Sequence, residues 1–132
     1  MVEPETILLI DDDAVLSDLY RVKFERAGFR VIVRHNAATT LEELRGGLQP
    51  ALIVLDLAMP GMDGFSFLQE VQRTGLHLPP VIVLTNQNTD IDKEKAFALG
   101  ANNYIVKASA TPKEILERIV EILRTQDAIS RS

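Results

Sequence analysis

Residues 52–64 read LIVLDLAMPGMDG: an apolar run ending in Asp56, then a turn at Met59, Pro60 and Gly61, then Gly64. An apolar run with no polar alternation is the pattern of a strand buried on both faces. Similar runs lie at 7–10, 31–33, 81–84 and 104–106, and the central one reaches back to Ala51. Helix-period segments separate them. The first carries Leu16, Leu19, Tyr20, Phe24 and Ala27 on one stripe and stops at Gly28. The second spans about 40–45 and ends at Gly46-Gly47. The third begins near Gly64 with Phe65, Leu68 and Val71, and the fourth, about 90–99, is the least amphipathic. The last carries Ile115, Leu116, Ile119, Ile122 and Leu123 behind a capping box of Thr111, Pro112 and Glu114. Strand then helix, five times over, predicts an α/β fold: one parallel sheet with helices on both faces.

The 132 residues suit one domain, expected over 5–126, with a polar tail at 127–132 and fraying beyond Arg124. Apolar residues make up 46%, enough for a real core. A net charge of −5 argues against direct nucleic-acid binding, since phosphate contacts need a basic surface. The absence of cysteine excludes disulfides and thiolate metal sites, and His35 and His77 are too few for a histidine metal site. No run approaches the roughly 20 apolar residues that span a bilayer. With no signal-like start, the expected compartment is the cytoplasm, with no membrane partner.

In an open α/β sheet, ligands bind beyond the carboxyl ends of the strands. The first run is followed by Asp11, Asp12 and Asp13, the third by Asp56, the fourth by Thr85 and Asn86, the fifth by Lys107. Arg34 and His35, after the second, are expected off to the side. Taken singly, Asp13 reads as a helix N-cap, Thr85 as a strand-end polar residue, Lys107 as a solvated charge and Tyr104 as a core or rim aromatic. Taken together, they bring carboxylates, a hydroxyl and an ammonium to one sheet edge. Crowded carboxylates repel, and a hard cation relieves this. Mg²⁺ suits one or two carboxylates plus a phosphate. The chemistry this points to is phosphoryl transfer to a carboxylate.

The segments ILLIDDD (7–13), LIVLDLAMPGMDG (52–64), VIVLT (81–85) and GANNYIVK (100–107) resemble the receiver domains of response regulators, over about 6–123. The resemblance implies a flavodoxin-like (βα)5 fold with strand order 2-1-3-4-5. It implies that Asp56 takes a phosphoryl group from a histidine kinase or phosphotransfer protein. Asp11, Asp12, Asp56 and the Ala58 backbone carbonyl would hold Mg²⁺ or Mn²⁺. Thr85 and Lys107 would contact phosphoryl oxygens, and Tyr104 would switch with Thr85. The surface of the fourth helix, fifth strand and fifth helix would carry the output to a partner or output domain, in a monomer or a weak phosphorylation-dependent homodimer. Self-catalysed phosphotransfer and slow self-dephosphorylation would be its only chemistry.

Two other readings compete. Asp11-Asp12-Asp13-Ala14-Val15 fits the DxDx[TV] signature of haloacid-dehalogenase-like phosphatases, with Asp11 as nucleophile. That reading lacks a further acidic motif after Lys107 and leaves Asp56 idle. A pseudo-receiver would keep the fold as a binding module without phosphorylation.

Three positions depart from the receiver pattern. Ala108 follows Lys107 where the family has proline, often cis; a non-proline cis bond costs about 2.5–4 kcal/mol, so a trans bond and a shifted loop are expected. Asn86 replaces a small residue, which would restrict access to the phosphoryl site or alter threonine movement. Ala58 has no polar side-chain atom with which to position a hydrolytic water. Loss of phosphate from the protein is therefore expected to be slower than from an Ala58→Asn variant, as timed by decay of the phosphorylated species; equal or faster decay in the unsubstituted protein would refute this.

Overall fold

The computed structural model describes residues 3–131. Its elements are β1 (Thr6–Ile10), α1 (Ala14–Arg26), β2 (Arg30–Arg34), α2 (Ala37–Arg45), β3 (Leu52–Leu55), α3 (Gly64–Thr74), β4 (Val81–Thr85), α4 (Asp90–Ala98), β5 (Asn103–Val106) and α5 (Pro112–Arg131). All strand pairs are parallel, in the order β2-β1-β3-β4-β5. This is the doubly wound, flavodoxin-like sheet expected from the sequence.

Burial follows position in the sheet. From Ile7 through Ile10, and throughout β3 and β4, the inner strands are sealed, whereas β2 and β5, at the edges, are only partly covered. Strand alternation divides the core in two. Leu8, Ile10, Ile53 and Leu55 face α2 and α3, packing with Leu41, Leu44, Phe67, Leu68 and Val71. Ile7, Leu9, Leu52, Val54, Ile82 and Leu84 face α1 and α5, packing with Tyr20, Phe24, Ile115, Ile119 and Leu123. Each large side chain buried this way contributes about 1.5–3 kcal/mol. A smaller cluster of Leu57, Val83, Ala96 and Ala101 lies beneath α4.

Several details differ from the sequence pattern. Leu19 is 58% exposed and Ala27 is exposed; Ser17 takes an inward position instead. A polar residue is tolerated there because its Oγ donates to the Asp13 carbonyl at 2.7 Å. In α3 the deeply buried aromatic is Phe67, while Phe65 is partly covered and carries the Lys95 ammonium 4.4 Å from its ring centroid. α2 begins earlier than expected because the Asn36 side chain accepts from the Thr39 amide and caps it. α5 extends to Arg131, through the segment expected to fray. Its capping box forms as expected: Glu114 N donates to Thr111 Oγ1 at 3.1 Å, and Thr111 N to Glu114 Oε1 at 3.0 Å.

The turn after β3 holds α3 tightly against the strand end. Gly61 has φ 76°, a left-handed backbone that glycine adopts at low cost. Gly64 N donates to the Leu57 carbonyl at 3.0 Å. A Cβ at Gly64 would lie 2.5 Å from the Asp56 carbonyl oxygen and 2.8 Å from Leu57 Cα, both backbone atoms that cannot swing aside. Gly64→Ala is expected to destabilise the fold by about 1–3 kcal/mol, as overpacking does. Urea denaturation measures this, and an unchanged midpoint would count against the tight approach.

Candidate functional site

Strand register determines which loops meet. Ile10 pairs with Leu55 on one side and Arg34 on the other, so Asp11 and Asp56 leave the sheet side by side. The backbone holds both: Asp56 N donates to the Ile10 carbonyl at 2.9 Å, and Asp11 N to the Arg34 carbonyl at 2.9 Å. Asp11 is 1% exposed and Asp56 5%. Thr85, at the end of β4, is fully buried, and its Oγ1 accepts from Gln87 N at 3.4 Å. From just beyond β5, the long Lys107 side chain reaches past β4 to both carboxylates: Nζ lies 2.7 Å from Asp11 Oδ2 and 3.0 Å from Asp56 Oδ2.

The carboxylates form a compact set. One oxygen from each of Asp11, Asp12 and Asp56 lies within 4.8 Å of the other two. Asp11 Oδ1 accepts from Asp13 N at 2.9 Å and Asp56 Oδ1 from Ala58 N at 3.2 Å. Asp12 is exposed. Asp13 stands apart in role: its side chain accepts from Leu16 N and caps α1. Among the described residues, Asp11 Oδ2 is the buried side-chain polar atom without a directional hydrogen bond; its Lys107 contact has ion-pair distance only. Three clustered carboxylates facing one ammonium, with one buried oxygen underused, fit a hard divalent cation.

The charges act on one another. Burial raises the Asp11 carboxyl above its ordinary pKa, and the Lys107 and Asp13 contacts reduce that rise without cancelling it. Burial works against the Lys107 ammonium, yet its contacts with the Asp11 and Asp56 carboxylates outweigh it and hold the pKa above the ordinary lysine value. Tyr104 sits at the rim: its hydroxyl donates to the Gln87 carbonyl at 2.6 Å, and its ring centroid lies 6.5 Å from that of Phe97. The described residues contain no cis peptide bond, so Lys107–Ala108 is trans, and a 3₁₀ turn (Lys107–Ser109) follows β5.

One residue is closer than the sequence suggested. His35 is not off to the side: its Nδ1 lies 2.7 Å from the Asp11 carbonyl oxygen. The strand order contained the signal, because β2 beside β1 brings the residue after Arg34 next to the residue after Ile10.

Because the folded-state pKa of Asp11 lies above the unfolded one, its ionisation disfavours folding. That penalty is absent below the ordinary carboxylate range and complete once the pH exceeds the folded-state value. Asp11→Asn is therefore expected to raise the melting temperature of metal-free protein at neutral pH, with the gain disappearing in acid. A melting temperature lowered at neutral pH would contradict this.

The family profile described as the response regulator receiver domain matches residues 7–120. The transcriptional regulatory protein CpxR of Escherichia coli K12 is 36% identical over 118 residues, a match covering 89% of this chain and 49% of CpxR. The DNA-binding dual master transcriptional regulator RpaA of Synechocystis is 36% identical over 127 residues, covering 96% of this chain and 52% of RpaA. The chain thus spans about half the length of these relatives. Among solved structures, a CheY-like response regulator receiver domain protein from Methanospirillum hungatei superposes with a TM-score of 0.84 at 25% identity, covering 95% of this chain and 98% of that one. The BeF3-activated receiver domain of Klebsiella pneumoniae RstA gives 0.80 at 26% identity, covering 91% and 99%. With a matching profile along most of its length, the sheet order of that fold and an acidic pocket at the strand ends, the chain belongs to the response regulator receiver domains, the phosphoacceptor modules of two-component signalling.

Proposed function

We propose that Asp56 is the phosphoacceptor and that the donor is a phosphohistidine on a histidine kinase or phosphotransfer protein. The observation that carries this reading is the Lys107 ammonium spanning Asp11 and Asp56, within 3.0 Å of the latter. An Asp56 carboxylate oxygen forms the new bond to phosphorus as the phosphorus–nitrogen bond breaks, and the imidazole leaves with the electron pair. Lys107 then pairs with a phosphoryl oxygen, and the Thr85 hydroxyl donates to another. Asp11, Asp12 and Asp56, with the Ala58 carbonyl, are the residues that would hold Mg²⁺ or Mn²⁺. When bound, the cation neutralises charge on the phosphoryl oxygens. The same groups support self-catalysed transfer and slow hydrolysis of the acyl phosphate.

Phosphorylation biases the domain between two packings through contacts made only to the phosphoryl group. Thr85 and Tyr104 are the switch pair, and the face formed by α4, β5 and α5 carries the change to a partner or output domain. The chain acts as a monomer or weak phosphorylation-dependent homodimer in the cytoplasm, without touching nucleic acid directly. Among the described residues, no helix is long and apolar enough to cross a membrane.

A small-molecule phosphodonor with Mg²⁺, followed by mass-spectrometric mapping, tests the assignment. The expected result is stoichiometric label on Asp56, abolished in Asp56→Asn. Label on Asp11 with steady turnover would mean a phosphatase, and no label at all would mean a pseudo-receiver.

A further inference from the structure

We infer that His35 is a positioning residue for the metal-binding loop: by donating from Nδ1 to the Asp11 carbonyl it holds the Asp11–Asp12 peptide, and with it the backbone from which the Asp12 carboxylate extends. This rests on the proposed cation site. The three carboxylates are restrained very differently. Asp11 has Oδ1 on the Asp13 amide and Oδ2 beside Lys107. Asp56 has Oδ1 on the Ala58 amide and Oδ2 on Lys107. Asp12 is exposed, and its carboxylate enters no hydrogen bond or ion pair among the described residues. The backbone sets where its Cα–Cβ bond starts from, and the peptide entering it is the one whose carbonyl His35 holds at 2.7 Å.

That hold is well anchored. The end of β2 grips Asp11 at both backbone groups: Arg34 O accepts from Asp11 N at 2.9 Å, and His35 Nδ1 donates to Asp11 O. Arg34 is itself tied to α2 by a two-pronged contact with Glu43, at 2.7 and 3.0 Å. The next residue, Asn36, caps α2. His35 therefore sits on a short, braced segment. A carbonyl oxygen can only accept, so the neutral ring must carry its proton on Nδ1. Groups that orient metal ligands from one bond away govern affinity through the geometry they impose. Here the oriented unit is a peptide plane.

The tests are Mg²⁺ affinity and ring tautomer, both read on unphosphorylated protein. His35→Ala should weaken Mg²⁺ binding by about threefold to tenfold in calorimetry, as expected for one lost hydrogen bond. His35→Asn, whose amide nitrogen occupies much the same place as Nδ1, should restore most of the affinity. A merely structural role would shift the melting temperature of both variants and leave their Mg²⁺ affinity alike. Nitrogen NMR of the metal-free, unsubstituted protein should show the neutral ring protonated at Nδ1. Unchanged Mg²⁺ affinity in folded His35→Ala, or a neutral ring protonated at Nε2, would overturn the inference. Either result leaves the functional reading intact if the unsubstituted protein binds Mg²⁺ and labels on Asp56; failure of those two would remove the functional reading itself.

Discussion

The Lys107 ammonium, held between the buried carboxylates of Asp11 and Asp56, is the contact on which the rest of the site depends. Two carboxylates sealed at adjacent strand ends repel each other, and burial in a medium of low polarity strengthens that repulsion. A cation bound there would supply positive charge, and Lys107 supplies a resident one beside the pair. A lysine just after β5 suits this because its stem is long enough to pass β4 and its head is compact. The pairing holds the pocket together while leaving it net negative, with three carboxylates against one ammonium.

That contact exists because of the sheet order. Placing β1 and β3 side by side in the middle, with β4 and β5 beyond, aims the segments after four strands at one edge. The crossover helices fill both faces and seal the strands from water, so the polar groups cluster at the carboxyl ends, where the core stops. Gly64 sharpens this geometry by bringing the start of α3 against the backbone of Asp56 and Leu57. The acidic loop after β1 is gripped from the other side by β2 through Arg34 and His35.

Most of the architecture was legible in the sequence because the inner strands are buried on both faces and so read as unbroken apolar runs. The capping box of α5 and the glycine stops were legible because each is set by a few adjacent residues. Phe65 and Leu19 were misplaced because periodicity gives a stripe and not its centre: rotating α3 and α1 slightly puts Phe67 and Ser17 inward instead. Asp11, Asp12, Asp56 and Lys107 could be gathered from topology alone, since each follows a strand. Their mutual distances could not, because these depend on how far a lysine stem extends across a neighbouring strand. His35 was expected off to the side because its contact is to the Asp11 backbone, which the strand order implies but the residue types do not.

α4 buries only Ala96 fully, leaving Ile91 76% and Phe97 49% exposed, while its flank rests on the Lys95–Phe65 contact and a Gln72 hydrogen bond to the Ala98 carbonyl. Of its own side chains, α5 inserts Ile115, Ile119 and Leu123 into the core, whereas α4 inserts only the methyl group of Ala96 fully, over Leu57 and Val83. At about 0.8 kcal/mol per buried CH₂, the difference between the two helices is several kcal/mol. The thinnest anchoring thus falls on one helix, next to β4 and β5, which carry Thr85 and Tyr104. The domain is anchored unevenly, with α4 its most thinly held side.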